Sequence, residues 1–262
     1  MTAAKSRTSV LLVVSLLLNA LVLLGSGFFV YRKGGVPYLR GKYYEVVHRQ
    51  RPDQGEYTVW EWAGYQRDAE LHAMAPVEPG DVVFLGDSHA GGAPWSEIFG
   101  TARVRNRGIN GDVTGGVLRR LDEVTAGRPA AVFMFIGSND VDAGLGGVTV
   151  EAALENVGRI LDAIRERSPQ TAVYVLSAPP KSGRSTLNAT ESPLAHRLNA
   201  GFAELAPAHG ATYLDVTTLL SEPDGSLKVA YTADGSHLNA EGYRRVLEVV
   251  RPYVERHLGT GA

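Results

Sequence analysis

The chain of 262 residues contains no cysteine. Disulfide staples, thiolate metal centres and cysteine nucleophiles are therefore excluded together, and the absence suits either side of a membrane. Charge of one sign is also missing. Lys and Arg number 26 against 28 Asp and Glu, a net charge of −2, so a nucleic acid held through many phosphate contacts is not an expected partner. His48, His72, His196, His209 and His257 show no zinc-ligand spacing. The stretch "GLGGVT" lacks the spacing and the strand-to-helix setting of a dinucleotide fingerprint. "DVDAGLGGVTVE", Asp140 to Glu151, has the outline of a calcium loop but carries Leu145 where the sharp turn needs glycine. Neither a metal nor a cofactor is expected. No internal repeat or low-complexity tract is present.

What the chain does have begins near its start. Val10 to Tyr31, "VLLVVSLLLNALVLLGSGFFVY", carries no charge; as a helix it would rise roughly 33 Å, enough to cross a bilayer. The reading is an N-terminal membrane anchor over residues 1–31, with a signal sequence cleaved near Gly25-Ser26-Gly27 as its alternative. Lys5 and Arg7 precede the run, and Arg32, Lys33, Arg40 and Lys42 follow it. A literal count of these charges leaves the following domain in the cytoplasm, but long domains translocate regardless of charge, and an extracytoplasmic domain is expected. Residues 32–79 read as a membrane-proximal connector. Within it "YTVWEWAGYQRDAELHAM" is the one stretch able to pack or to form a short helix.

From residue 80 to 262 the pattern is that of one domain. Short apolar runs, "DVVFLG", "ARVRNRG", "AVFMFIG", "AVYVLSA" and "TYLDV", alternate with longer amphipathic stretches. Leu154, Val157, Ile160, Leu161 and Ile164 fall three or four apart, forming one stripe of a helix. Strand runs such as "AVFMFI" are apolar without alternation, as expected where both faces are covered. This order argues for an α/β fold, a parallel sheet of about five strands between two helical layers. Sites in such sheets lie beyond the carboxyl ends of the strands, which places "GDSH", "GSND" and the loops after "NRG" and "TYLDV" on one rim.

Nucleophilic hydrolysis by serine needs a hydroxyl, a base, a group that orients the base, and donors for the developing oxyanion. Ser88 follows the first strand and can open the next helix, where amides point outward. Asp234 and His237, three apart in "DGSHL", can bring a carboxylate to the ring nitrogen opposite the one facing Ser88. Gly111 in "NRGINGDVTGG" offers an amide with no side chain to block approach; Asn139 in "IGSND" offers a side-chain amide, and the Ser88 amide joins them. Each element alone has a bland reading. A Gly-Asp-Ser turn is commonly a helix cap, "GSND" is a plausible turn, and Asp234 could cap the last helix.

Together "FLGDSHA", "NRGINGDVTGGVLRRL", "FIGSND" and "YTADGSHLNAEGY" resemble the sequence blocks of the SGNH, or GDSL-type, hydrolases, near the branch of acetylesterases and acetylhydrolases. The resemblance covers roughly Asp81 to Leu258. It implies a three-layer α/β/α, flavodoxin-like fold, with Ser88 as nucleophile, Gly111 and Asn139 as oxyanion donors, and Asp234 with His237 completing a triad. His89 stands where the family usually has leucine; a local structural or surface role is expected for it, and Asp87 is expected to hold the turn through backbone amides. The loop Ser177 to Pro193 is the candidate substrate wall, where Lys181 and Arg184 could meet an anionic group. No long apolar insertion resembles a lipase lid. The reading is a cofactor-independent serine esterase acting on short O-acyl groups of a small molecule or polysaccharide. Lysophospholipase, thioesterase or sugar acyltransferase activity, or a non-catalytic carbohydrate-binding module, are the alternatives.

Overall fold

The computed structural model describes residues 2–32, 59–141, 147–182 and 192–259. The chain divides into two compact units, Met1–Gln54 and Gly55–Ala262. In the first, helix α1 runs over Thr2–Arg32. Its side chains from 13 to 29 are exposed. Among the described residues no helix is long and apolar enough to cross a membrane, so the spanning segment expected over residues 10–31 is not supported there. Residues 33–58 of the expected connector, with Lys33, Arg40, Lys42 and His48, lie outside the described residues.

The described part of the second unit opens with a 3-10 turn at Val59–Glu61 and helix α2, Ala63–Ala73, within the connector stretch able to pack. Then come β1 (Val82–Gly86), α3 (Ser88–Gly91), α4 (Trp95–Phe99), β2 (Val104–Gly108), α5 (Thr114–Arg120), α6 (Asp122–Thr125) and β3 (Ala131–Phe135). The chain continues through α7 (Val150–Arg167), β4 (Ala172–Leu176), α8 (Ser192–Ala208), β5 (Thr212–Leu214), α9 (Thr217–Leu220) and α10 (Ala240–Leu258). The five strands are all parallel, in the order β2-β1-β3-β4-β5.

Why β1 and β3 lack alternation is visible in the packing. Val83, Leu85, Val132, Met134 and Val175 face one core, with side chains of α5, α7 and α8. Val82, Phe84, Ala131, Phe133 and Leu176 face the other, with Trp95 and the buried side of α10. Successive residues of a strand point to opposite faces, and here both faces are dry. Each such large side chain is worth about 1.5–3 kcal/mol on burial. The α7 stripe packs as its spacing implies, with Val157, Ile160, Leu161 and Ile164 buried and Leu154 against the same core. Thr149 caps α7 by accepting from the Ala152 amide.

The chain leaves β1 toward β2 on one side and later returns to β3 on the other. Such a reversal opens a crevice at the carboxyl ends of the two central strands. Ser88 lies there, two residues beyond β1.

Candidate active site

Between β1 and Ser88 the chain makes a sharp turn that needs glycine. Gly86 has φ +151°, and a Cβ at this position would lie 1.9 Å from the Phe135 carbonyl oxygen. Asp87 then caps α3, its Oδ1 accepting from the His89 amide at 2.8 Å, while its Oδ2 accepts from Ser138 Oγ at 3.1 Å. Burial pushes the Asp87 carboxyl up to about 7, against the pull of those two donors. The expected role of Asp87 in holding the turn is thus met by named partners, one of them from the loop after β3.

Ser88, at the start of α3, meets the loop before α10. His237 Nε2 lies 3.1 Å from Ser88 Oγ, and His237 Nδ1 lies 2.6 Å from Asp234 Oδ2. The other oxygen of Asp234 accepts from the Ser236 and His237 amides at 2.9 and 2.8 Å. Burial alone would raise the Asp234 carboxyl, but the His237 ring and these amides more than offset it and hold the group near 2. Thr232 Oγ donates to the His237 carbonyl at 2.7 Å and accepts from Gly235 N at 2.9 Å, closing the turn. Helix α10 is capped by Asn239, whose side chain accepts from Glu241 N and Gly242 N. Oδ2 of Asp234 is thereby left to the imidazole.

The loop after β2 carries Gly111. Its turn is closed by Asp112 N donating to Ile109 O at 3.1 Å, with Gly111 at φ +79°, the left-handed conformation usual for glycine at the third place of such a turn. Ile109 N donates to the Gly86 carbonyl at 2.9 Å, tying this loop to the end of β1. Asn139 Nδ2 donates to the Asp112 carbonyl at 2.9 Å, tying it to the loop after β3. Ser88, His237 and Asp234 are thus in direct hydrogen-bonded contact, and Gly111 and Asn139 sit on two loops joined to each other and to the Ser88 turn.

Several supporting residues had no assigned part in the sequence reading. Arg120, buried on α5, pairs with Asp112 at 2.9 Å and donates to the carbonyls of Gly86 at 3.1 Å and Arg107 at 2.8 Å, clamping the ends of β1 and β2. Asp140, also buried, accepts from Thr114 N at 3.0 Å and Thr114 Oγ at 2.5 Å, fixing the start of α5. Burial raises the Asp140 carboxyl to about 7 despite those bonds. A signal for Arg120 existed: it falls three residues after Val117 and one before Leu121, on the stripe that the helix buries, where a charge needs a partner.

His89 is buried, its ring centroid 5.4 Å from that of Phe135 and 5.9 Å from that of His237. A surface position is therefore excluded and packing remains. Burial, then the fields of His237 and Lys181, push its ring down to about 3. Its carbonyl accepts from Tyr243 Oη at 2.9 Å. Of the candidate substrate wall, the first residues run along the site loop: Ser182 N donates to Gly235 O at 2.8 Å, and Leu227 N donates to Lys181 O at 3.2 Å. Residues 183–191, with Arg184, and 142–146 of the calcium-like loop lie outside the described residues. Among the described residues no group of three or more His, Asp or Glu side chains could hold a metal ion. His209 and His257 bond to Asp162 and Tyr174.

Residues 78–245 match the GDSL-like Lipase/Acylhydrolase family. The chain belongs to that family. It is an enzyme of the ester-bond hydrolase class. It is 30% identical over 186 residues to the human platelet-activating factor acetylhydrolase IB subunit alpha1, covering 68% of this chain and 77% of that one. A lipase/acylhydrolase structure from Enterococcus faecalis superposes with TM-score 0.54 at 25% identity, over 69% of this chain and 97% of the other. A GDSL-like lipase from Bacteroides thetaiotaomicron shares the fold, with TM-score 0.62 at 22% identity over 75% and 99% of the two chains. The three-layer α/β/α architecture with a five-stranded parallel sheet is that of the family.

Proposed function

We propose that this GDSL-family enzyme is a serine esterase with Ser88 as nucleophile, His237 as base and Asp234 as the group that orients it. The observation that carries the reading is the unbroken line from Ser88 Oγ through the His237 ring to Asp234, at 3.1 and 2.6 Å. Ser88 Oγ attacks the ester carbonyl as its proton passes to His237 Nε2. The carbonyl oxygen gains the charge, which the Ser88 and Gly111 amides and the Asn139 side chain would receive as donors. Collapse expels the alcohol, which takes the proton from His237. Water repeats the cycle and frees the acid and Ser88. Asp234 remains ionised throughout and stabilises the imidazolium.

The substrate class we propose is a short O-acyl ester, acetyl foremost, on a small molecule or a polysaccharide. The absence of a long apolar insertion from the sequence supports this, as does similarity to a protein named for acetyl hydrolysis. We further propose membrane attachment through residues 10–31 with the catalytic domain extracytoplasmic, a reading supported by the uncharged run from Val10 to Tyr31.

An ester panel tests the reaction: p-nitrophenyl acetate, butyrate and octanoate, a choline lysolipid, an acyl thioester and an acetylated oligosaccharide, with and without sugar acceptors. Highest kcat/KM on acetyl esters, lost in Ser88→Ala, is expected. Preference for octanoyl, lysolipid or thioester substrates, or transfer to the sugar, would replace the substrate class. Undiminished turnover by Ser88→Ala would remove the mechanism. Carbonate extraction of membranes, comparing the full chain with one lacking residues 1–32, tests attachment.

A further inference from the structure

Ile109 and Val113 stand on either side of the Gly111 turn, and both are buried, 1% and 6% exposed. Neither belongs to the two cores that sandwich the sheet. They form a third, separate cluster with Val59 and Tyr65, against which Trp60, Trp62 and Ala69 also pack. All five of those partners come from the segment Val59–Ala73, ahead of residues 78–245 that match the family. Two further contacts tie the same segment to the helix that follows the turn. Tyr65 Oη donates to the Gly116 carbonyl at 3.4 Å, and the Arg119 guanidinium lies 4.7 Å from the centre of the Trp60 ring. A Cβ on Gly116 would fall 1.9 Å from Asp112 Oδ1 and 3.4 Å from Tyr65 Oη, so turn, helix and segment meet with no spare room.

We propose that Val59 and Tyr65 are positioning residues for ester hydrolysis: the segment that precedes the family domain braces the turn holding Gly111 and sets where its amide points. The inference rests on the proposed role of Gly111 and Asn139 as oxyanion donors. On its other flank the turn is held by hydrogen bonds, Ile109 N to Gly86 O and Asn139 Nδ2 to Asp112 O. Those bonds fix the ends of the turn, while the apolar contact of Ile109 and Val113 restrains its tilt. An oxyanion donor acts only within about 2.7–3.1 Å of the developing charge, and a misplacement of about 1 Å can cost on the order of 100-fold in rate. Because the third cluster is separate from both sheet cores, loosening it would shift the turn without undoing the sheet that carries Ser88.

The test compares three truncations in the full chain. Val59→Ala and Tyr65→Leu loosen the brace. Val254→Ala removes the same atoms as Val59→Ala from a fully buried site in the core beneath α10. On p-nitrophenyl acetate the first two are expected to lose about tenfold or more in kcat, with KM within about twofold and an unchanged pH profile. Val59→Ile, which keeps a β-branched side chain, should keep most of the parent rate. Val254→Ala should lower the melting temperature as much as Val59→Ala does while keeping kcat. The proposal is overturned if Val59→Ala and Tyr65→Leu both keep kcat within about twofold, or if Val254→Ala loses as much kcat as they do. If one brace variant does not fold, the other decides. Ser88→Ala in the same assay separates the two claims: activity there defeats the catalytic reading. An inactive Ser88→Ala beside unaffected brace variants defeats the brace alone.

Discussion

Asn139 gives its side-chain amide to the main-chain carbonyl of Asp112, 2.9 Å away, and so joins the loop after β3 to the loop that carries Gly111. One amide hydrogen secures the loop; in the proposed mechanism the other would serve the oxyanion. Loss of one oxyanion donor typically costs about 10²–10³-fold in kcat. Asn139→Ala is expected to fall in that range with a much smaller change in KM. A raised KM with intact kcat would show that Asn139 binds the ground state instead.

Asp234 is held near 2 because the His237 ring and two amides outweigh the effect of burial. It therefore stays ionised across the working pH range and does not set the acid limb of the rate profile. Asp234→Asn keeps an oxygen for the Ser236 and His237 amides but no longer fixes the tautomer of His237. A loss of about 10³–10⁴-fold in kcat is expected with the fold intact, read by steady-state kinetics beside circular dichroism. A loss under tenfold would deny Asp234 its orienting part.

His89 makes stability depend on pH with a definite sign. Burial lowers its ring from the ordinary 6.5 to about 3. On acidification the unfolded chain takes up the proton first, so stability held above about pH 6.5 is lost as pH falls toward about 3. By pH 5 the loss from this group amounts to roughly 2 kcal/mol. His89→Leu removes it, whereas the buried acids Asp87 and Asp140 titrate in both proteins. Urea unfolding at pH 8 and pH 5 should show the variant gaining on the parent at the lower pH by about that amount. Parallel pH dependence would mean that the ring is protonated inside the fold.

Arg120 holds Asp112 and two strand-end carbonyls at once. Arg120→Met leaves a buried carboxylate without its partner, a change that typically costs about 3–5 kcal/mol. Pairing it with Asp112→Asn should recover part of that cost. A single variant less than about 1 kcal/mol weaker than the parent in urea would show that Arg120 does not clamp the loops.

The strands were legible because β1 and β3 are buried on both faces and read as unbroken apolar runs. The Ser88, His237 and Asp234 contact was legible because the partners lie in short local blocks at strand ends, and the parallel sheet puts those ends on one rim. Burial of His89 was not, since Phe135, which packs near its ring, and Tyr243, which donates to its carbonyl, lie far away in sequence. The placement of Val59 and Tyr65 was hidden for a similar reason. Their stretch could be read as able to pack, but only the folded chain shows that it packs on Ile109 and Val113. The uncharged run from Val10 to Tyr31 is plain in the sequence and lies within α1, yet among the described residues no helix is long and apolar enough to cross a membrane.

The most direct measurement is mass-spectrometric mapping of a fluorophosphonate adduct on the full chain. If Ser88 is the hydroxyl activated by His237, one adduct forms on Ser88, fluoride leaves, esterase activity disappears in step with labelling, and His237→Ala prevents both. Labelling at another residue, or full activity with Ser88 unmodified after complete reaction, would contradict the account.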